Sequence, residues 1–109
     1  MDVFAIKHKP TGKWMPTRLN KIYGGWSYWE PTSQDRAHDE NRRLFFTRRS
    51  AQNALTAWLM GEHRRESGTT YDWEGIRDDY DHHIIEKPKV PRLREDMEIV
   101  RLELREVIE

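Results

Sequence analysis

The chain has 109 residues, enough to bury one hydrophobic core but not two, so we expect a single domain over 1–109. The absence of cysteine excludes disulfides and thiolate chemistry, and the longest apolar runs are too short to span a bilayer. The net charge is zero, yet residues 1–65 hold 12 Lys or Arg against 6 Asp or Glu, whereas residues 66–109 hold 7 against 13. These halves either neutralise each other on folding or meet charged partners.

The chain opens with a predicted hairpin. Residues 3–8 alternate in the manner of a strand, and residues 10–13 place proline and glycine where a tight turn needs them. Trp14 begins a return segment that Pro16 limits to a short or edge strand, because proline cannot donate to a sheet.

Residues 26–29 follow the glycine pair 24–25 and contain three aromatic residues, which predicts another short strand. Residues 32–41 are polar except for Ala37 and predict a loop. Residues 44–46 then form a short apolar strand that leads into a helix.

A helix is predicted over about 48–60. Its apolar stripe has the spacing of one buried helix face and consists of Ala51, Ala54, Leu55, Trp58 and Leu59. Thr47, or alternatively Ser50, can cap the first turn, and Gly61 stands where helices often end.

Residues 62–96 are charged and lack a sustained period, although 71–73 and 83–85 could be short extended pieces. We expect a charged insert there, part of it flexible.

Residues 97–107 fit either a strand or a helix, and the alternation around Val100, Leu102 and Leu104 favours the strand. The expected fold is α+β, with a small antiparallel sheet built from the N-terminal hairpin and this C-terminal strand. The main helix packs on one face of that sheet.

Several segments resemble a family of small, uncharacterised proteins encoded by tailed bacteriophages and prophages. The resemblance covers about half the chain and rests on the motifs at 9–12, 30–31, 43–45, 54–55, 58–59, 61 and 96–98. It implies a phage origin, supports the strand, helix, strand order and names no site. The long acidic insert at 62–91 departs from the family pattern. A bacterial host cytoplasm is the compartment implied, since residues 1–9 lack the apolar run of a secretory signal.

Arginines and aromatics form the candidate binding surface. Arg48 and Arg49 would occupy the first helical turn, where the helix dipole disfavours cations by roughly 0.3 to 1 kcal/mol each. With Arg42 and Arg43 they either bind a phosphate or a partner's carboxylates, or are solvated and paired within the chain. The aromatic candidates for partner binding are Trp26, Tyr28 and Trp29. They either cover the helix or are exposed, as at protein interfaces and base-stacking sites.

Catalytic and metal motifs are weak. The acidic and imidazole ligands of the run 78–83 are Asp78, Asp79, Asp81, His82 and His83, which lack a recognised metal spacing. Since neighbours on a strand point to opposite faces, we expect a solvated acidic segment there. His8, His38 and His63 are scattered and suggest no catalytic triad. We therefore expect no enzyme activity, no bound metal and no cofactor.

Two functional hypotheses follow. The first is a non-enzymatic phage interaction protein that binds a host or phage protein through the arginine and aromatic surface, one such role being inhibition of a host enzyme or defence complex. The alternative is a small nucleic-acid-binding module that uses the arginines on phosphates and Trp26 or Trp29 on bases. An uncovered sheet edge is also compatible with a homodimer.

Overall fold

The computed structural model describes residues 1–17, 25–34, 36 and 41–106. Its regular elements are strand β1 (Asp2–His8), helix α1 (Arg48–Met60), and strands β2 (Glu62–Tyr71), β3 (Arg77–Glu86) and β4 (Met97–Glu103). Two 3₁₀ helices cover Gly25–Tyr28 and Arg94–Asp96. β1 pairs with β4 and β2 pairs with β3, both antiparallel. The expected α+β class is confirmed.

β1 lies at the centre of the first sheet. Along one edge it pairs with β4, so the C-terminal segment is the strand that the alternation favoured. Along the other edge Trp14 lies opposite Lys7, and Phe45 lies opposite Phe4. These are single bridges, so the return segment and the 44–46 strand are shorter than a regular strand. Buried Pro16 ends the first of them, since it has no N–H to donate.

Helix α1 has the predicted bounds. The Ser50 N–H donates to the Thr47 hydroxyl at 3.1 Å, which identifies Thr47 as the cap. The buried face packs on β1 and β4 around Trp58, which is 1% exposed and donates its indole N–H to the Trp29 carbonyl at 3.0 Å. None of the helices in the described ranges is long and apolar enough to cross a membrane.

Gly61 connects α1 to the second pair of strands. Its φ of +136° is accessible almost only to glycine, and a Cβ there would lie 1.9 Å from the Glu86 carbonyl oxygen. The chain therefore turns sharply where the helix ends.

Residues 26–29 are not a strand, and that prediction is wrong. The Trp29 N–H donates to the Trp26 carbonyl at 3.2 Å as part of a 3₁₀ helix. The edge of β1 that a strand there would need is occupied by Trp14 and Phe45. Ser27 and Trp29 are both buried in the observed arrangement.

β2 and β3 form a long hairpin, residues 62–86, which we call the arm. The sequence indicated only short extended pieces here, whereas each strand has 10 residues. In the connecting turn Gly75 has a φ of +80°, and the Asp72 carboxylate accepts the N–H groups of Glu74 and Ile76. Glu62 and His63 are buried, and nearly every later arm residue is exposed or half-buried. At about 3.4 Å per residue, each strand spans roughly 34 Å.

Candidate protein-binding surfaces

The first candidate surface surrounds Trp14. The Arg42 guanidinium carbon lies 3.9 Å from the centre of the Trp14 ring, and the Lys7 ammonium lies 5.3 Å from it. Leu44 is 43% exposed and Phe46 is 74% exposed on the same segment as Arg42. We call these five residues, Lys7, Trp14, Arg42, Leu44 and Phe46, the basic-aromatic face.

Two of the other arginines lie on the helix side of the sheet. The Arg43 guanidinium is 4.7 Å from the Phe45 ring and 5.7 Å from Trp26, and Arg48 is 5.2 Å from the Phe4 ring. Burial lowers the pKa of Arg43. The side chain nevertheless stays charged, because arginine is not deprotonated in proteins. Its Nη1 atom is buried without a hydrogen-bond partner among the described residues.

β1 therefore divides the predicted arginine cluster. Side chains alternate along a strand and share a face with the residue directly opposite, so Lys7 and Trp14 lie on one face and Phe4 and Phe45 on the other. Arg42 lies on the same face as Trp14, whereas Arg43 and Arg48 lie on the face of the two phenylalanines. Arg49 is exposed at the start of α1. The arginines do not form one anion site.

The aromatic candidates are partly covered. Trp29 is only 7% exposed and its ring centroid lies 5.6 Å from that of Trp58, so it belongs to the core and offers no binding surface. Trp26 is half-buried, with its ring centroid 5.4 Å from that of His63. Tyr28 is also half-buried, while Tyr23 lies outside the described residues. Trp29 directly follows the 3₁₀ helix and is buried, whereas Trp26 and Tyr28 within the helix remain partly accessible.

The second candidate surface is the tip of the arm. Tyr71 is 66% exposed, Trp73 is 92% exposed and Ile76 is 59% exposed, all within one turn. Glu74 is exposed beside them, and the arm as a whole contains eight acidic and three basic residues. Exposed aromatic side chains grouped at one end of a projecting hairpin are typical of a docking element.

Charged and polar pairs line one face of the arm. Arg65 forms an ion pair with Asp81, while Asp79 accepts hydrogen bonds from Arg77 at 2.9 Å and from Thr69 at 2.8 Å. These hydrogen bonds lower the pKa of both aspartates, chiefly through Arg77 for Asp79 and through Arg65 for Asp81. The carboxylates are thus held by arginines, and the pairs are exposed enough to stabilise the fold only weakly.

The strand geometry separates the histidines of the acidic run. His82 stacks on Tyr80 with ring centroids 5.4 Å apart, whereas the Nε2 atom of His83 lies 2.9 Å from His63 Nδ1 on the opposite face. Within the described ranges no group of three or more His, Cys, Asp or Glu residues could hold a metal ion.

His63 anchors the root of the arm, which the scattered histidines of the sequence did not indicate. Its Nε2 atom lies 2.7 Å from the Ala57 carbonyl oxygen and donates to it, and its backbone N–H donates to the buried Ser27 hydroxyl at 2.8 Å. Nδ1 then accepts from His83 in this tautomer. The sequence signal that could have identified this residue is its position two residues after the glycine that ends the helix.

Arg92 is a second anchor that sequence reasoning missed. Its side chain is 1% exposed and donates to the Trp58 carbonyl at 2.6 Å, the Ser27 carbonyl at 2.7 Å and the Glu30 carboxylate at 2.7 Å. Its guanidinium also lies 4.5 Å from the Trp58 ring. Arg92 therefore ties the helix, the 3₁₀ helix and the segment before β4 together.

A small cavity of about 50 Å³ adjoins this anchor, with His8, Glu30, Arg92 and Asp96 among its lining residues. Burial lowers the pKa of His8, an effect that the negative charge of Asp96 partly opposes. The cavity has room for water molecules but is much smaller than the roughly 300 Å³ of a typical ligand pocket. The lining residues thus fit a structural role.

Comparison with protein-family models, curated proteins and solved structures finds no match to the chain. The phage resemblance accordingly rests on the sequence motifs alone. What the chain does must be argued from its two exposed surfaces.

Proposed function

We propose that the chain is a non-enzymatic interaction protein and that its basic-aromatic face binds a carboxylate-bearing segment of a partner protein. One observation carries the proposal: Lys7 and Arg42 are both held against the Trp14 ring, at 5.3 and 3.9 Å. Neither side chain forms an ion pair with a residue that the structure describes. Glu98 lies opposite Lys7 on β4 but is not paired with it, so both cations are available to an external carboxylate.

The stacked geometry supports protein recognition. A guanidinium held over an indole still has N–H groups to offer, and these can bind a carboxylate through two parallel hydrogen bonds. Leu44 and Phe46 supply exposed apolar area beside it. Arginine and aromatic side chains are the residue types that dominate binding energy at protein interfaces.

The resemblance to tailed-bacteriophage proteins supports a phage or host protein as the partner and the bacterial cytoplasm as the compartment. Binding over the working surface of a host enzyme or defence complex would inhibit it. That role is part of the proposal and needs an identified partner.

A capture experiment tests the proposal. The tagged chain is compared with Lys7→Ala/Arg42→Glu in a bacterial lysate at moderate salt; alanine is used at position 7 because Glu98 lies directly opposite on β4. Lys87→Ala/Lys89→Glu is the matched control, since it makes the same charge change at two exposed positions elsewhere. We expect a specific protein to be captured by wild type and control and lost with the face variant. Equal capture by all three would contradict the proposal.

Nucleic-acid binding is the second candidate, favoured by an exposed Phe46 ring in the same segment as Arg42, a combination that can hold bases and phosphates. Short single-stranded DNA is the probe. Affinity that falls steeply with salt and is lost in the face variant would support it, because released counterions set that slope. The absence of binding at low salt would eliminate it.

A further inference from the structure

We propose that the segment bound by the basic-aromatic face is the arm tip of a second copy of this chain, so that two copies exchange arms in a closed dimer. This inference rests on the function proposed above and names the partner of that same face. It is carried by the match between two exposed surfaces of one molecule.

The tip carries carboxylates that match the two cations of the face. Glu74 and Asp78 are exposed and form no ion pair among the described residues. The three arginines of the arm are already engaged, Arg64 with Glu86 and the other two with Asp79 and Asp81. The tip therefore presents uncompensated carboxylates together with Trp73.

The face presents the complementary set, with cations at Lys7 and Arg42 and apolar surface at Leu44 and Phe46. Matching signs steer two protein surfaces together and fix their register. Contact between Trp73 and the exposed apolar residues would supply the buried area.

The two surfaces do not meet within one molecule. Trp73 is 92% exposed, so it touches almost nothing of its own chain. The arm begins at the C-terminal end of α1, whereas the face adjoins the N-terminal end, and a 13-residue helix separates those ends by about 20 Å. The arm then adds about 34 Å, and the molecule measures 67 Å along its longest axis. The arm tip and the basic-aromatic face can therefore meet only between two copies of the chain.

Specific interfaces bury about 1,200 Å² or more in total, so a closed dimer with two reciprocal contacts needs about 300 Å² from each tip and each face. An isolated two-stranded hairpin is marginally stable in water, so burial against a second copy would also stabilise the arm.

Sedimentation of the purified chain is the first test. We expect a dimer at low salt whose dissociation constant rises with ionic strength, because exposed charge pairs are screened. Trp73→Ser should weaken it by about tenfold or more. A monomer at all concentrations would overturn the inference, and so would an open series of oligomers, because reciprocal exchange closes at two copies.

A charge swap provides the decisive test. Glu74→Lys/Asp78→Lys gives a positive tip beside a positive face, and Lys7→Ala/Arg42→Glu gives a negative face beside a negative tip. Each variant alone should be monomeric. Their equimolar mixture should form a heterodimer, because both tip and face contacts then join opposite charges, and this restoration also shows that each variant is folded. If the mixture stays monomeric, the inference is wrong.

The capture experiment separates this failure from failure of the proposed function. If the wild-type chain is monomeric yet captures a lysate protein that the Lys7→Ala/Arg42→Glu variant loses, the face binds a different partner. The proposed function then stands and arm exchange falls. If the wild-type chain neither forms a dimer nor captures a protein that depends on the face, both the arm exchange and the proposed function are wrong.

Discussion

Replacing Arg92 with methionine should remove much of the stability of this fold. The side chain is 1% exposed and forms an ion pair with Glu30, whose side chain is 19% exposed. Removing one partner of a buried pair costs about 3 to 5 kcal/mol, because the other charge remains without compensation. The carbonyls of Trp58 and Ser27 also lose a charged donor, at about 1.5 to 3 kcal/mol for each hydrogen bond, although the Trp58 carbonyl keeps the Gly61 N–H at 3.2 Å. These costs overlap, so we expect a total loss of about 3 to 5 kcal/mol.

Urea unfolding followed by circular dichroism measures this loss. Arg94→Met is the control, because Arg94 is exposed and makes a single 3.2 Å hydrogen bond to Thr56; it should change the free energy of unfolding by less than about 1 kcal/mol. Adding Glu30→Gln to Arg92→Met should recover part of the loss, since it neutralises the orphaned charge. A loss below about 1 kcal/mol for Arg92→Met would refute the anchoring role.

Three further predictions concern the core and the helix end. Gly61→Ala should lower the free energy of unfolding in urea by about 2 to 4 kcal/mol, because the added Cβ would lie 1.9 Å from the Glu86 carbonyl oxygen. The control Gly12→Ala should cost about 1 kcal/mol, since a Cβ there has nothing within 4 Å. Equal costs would contradict the steric argument. Trp58→Ala should cost about 3 to 5 kcal/mol, and a change below about 1 kcal/mol would mean that this face is not core. Burial lowers the pKa of His8 in the folded chain, so the unfolded chain binds more protons below its usual pKa. The free energy of unfolding should therefore fall as pH drops below about 6.5, and His8→Gln should reduce this fall. If His8→Gln has the same pH profile as the wild type, the fall comes from other groups.

The elements that could be predicted are those that face one core. Helix α1 repeats its apolar residues with the period of one buried face, and Thr47 and Gly61 mark its ends. β1 and β4 were recognised from the alternation of their residue types, although β1 is buried on both faces, between Val3 and His8. In each case local spacing carries the signal, because one side of the element meets the same hydrophobic interior.

The arm gave no such signal because it has almost no interior to face. Both sides of β2 and β3 meet solvent beyond His63, so their sequence lacks an apolar period even though the strands are regular. The strand prediction for residues 26–29 was wrong for a different reason. Their aromatics alternate as in a strand, but the neighbouring backbone edge is already occupied by Trp14 and Phe45.

By itself, the sequence determined the α+β class, the bounds of the helix, the pairing of the first and last strands around it, and the presence of exposed cations and aromatics. Only the tertiary structure decided which of those residues share a surface. It buries Trp29, separates Arg42 from Arg43 and Arg48, and joins Arg92 to carbonyls 34 and 65 residues away along the chain. The physical reason is that local periodicity records which side of an element is buried, whereas long-range hydrogen bonds and the competition for one strand edge depend on how the elements are assembled.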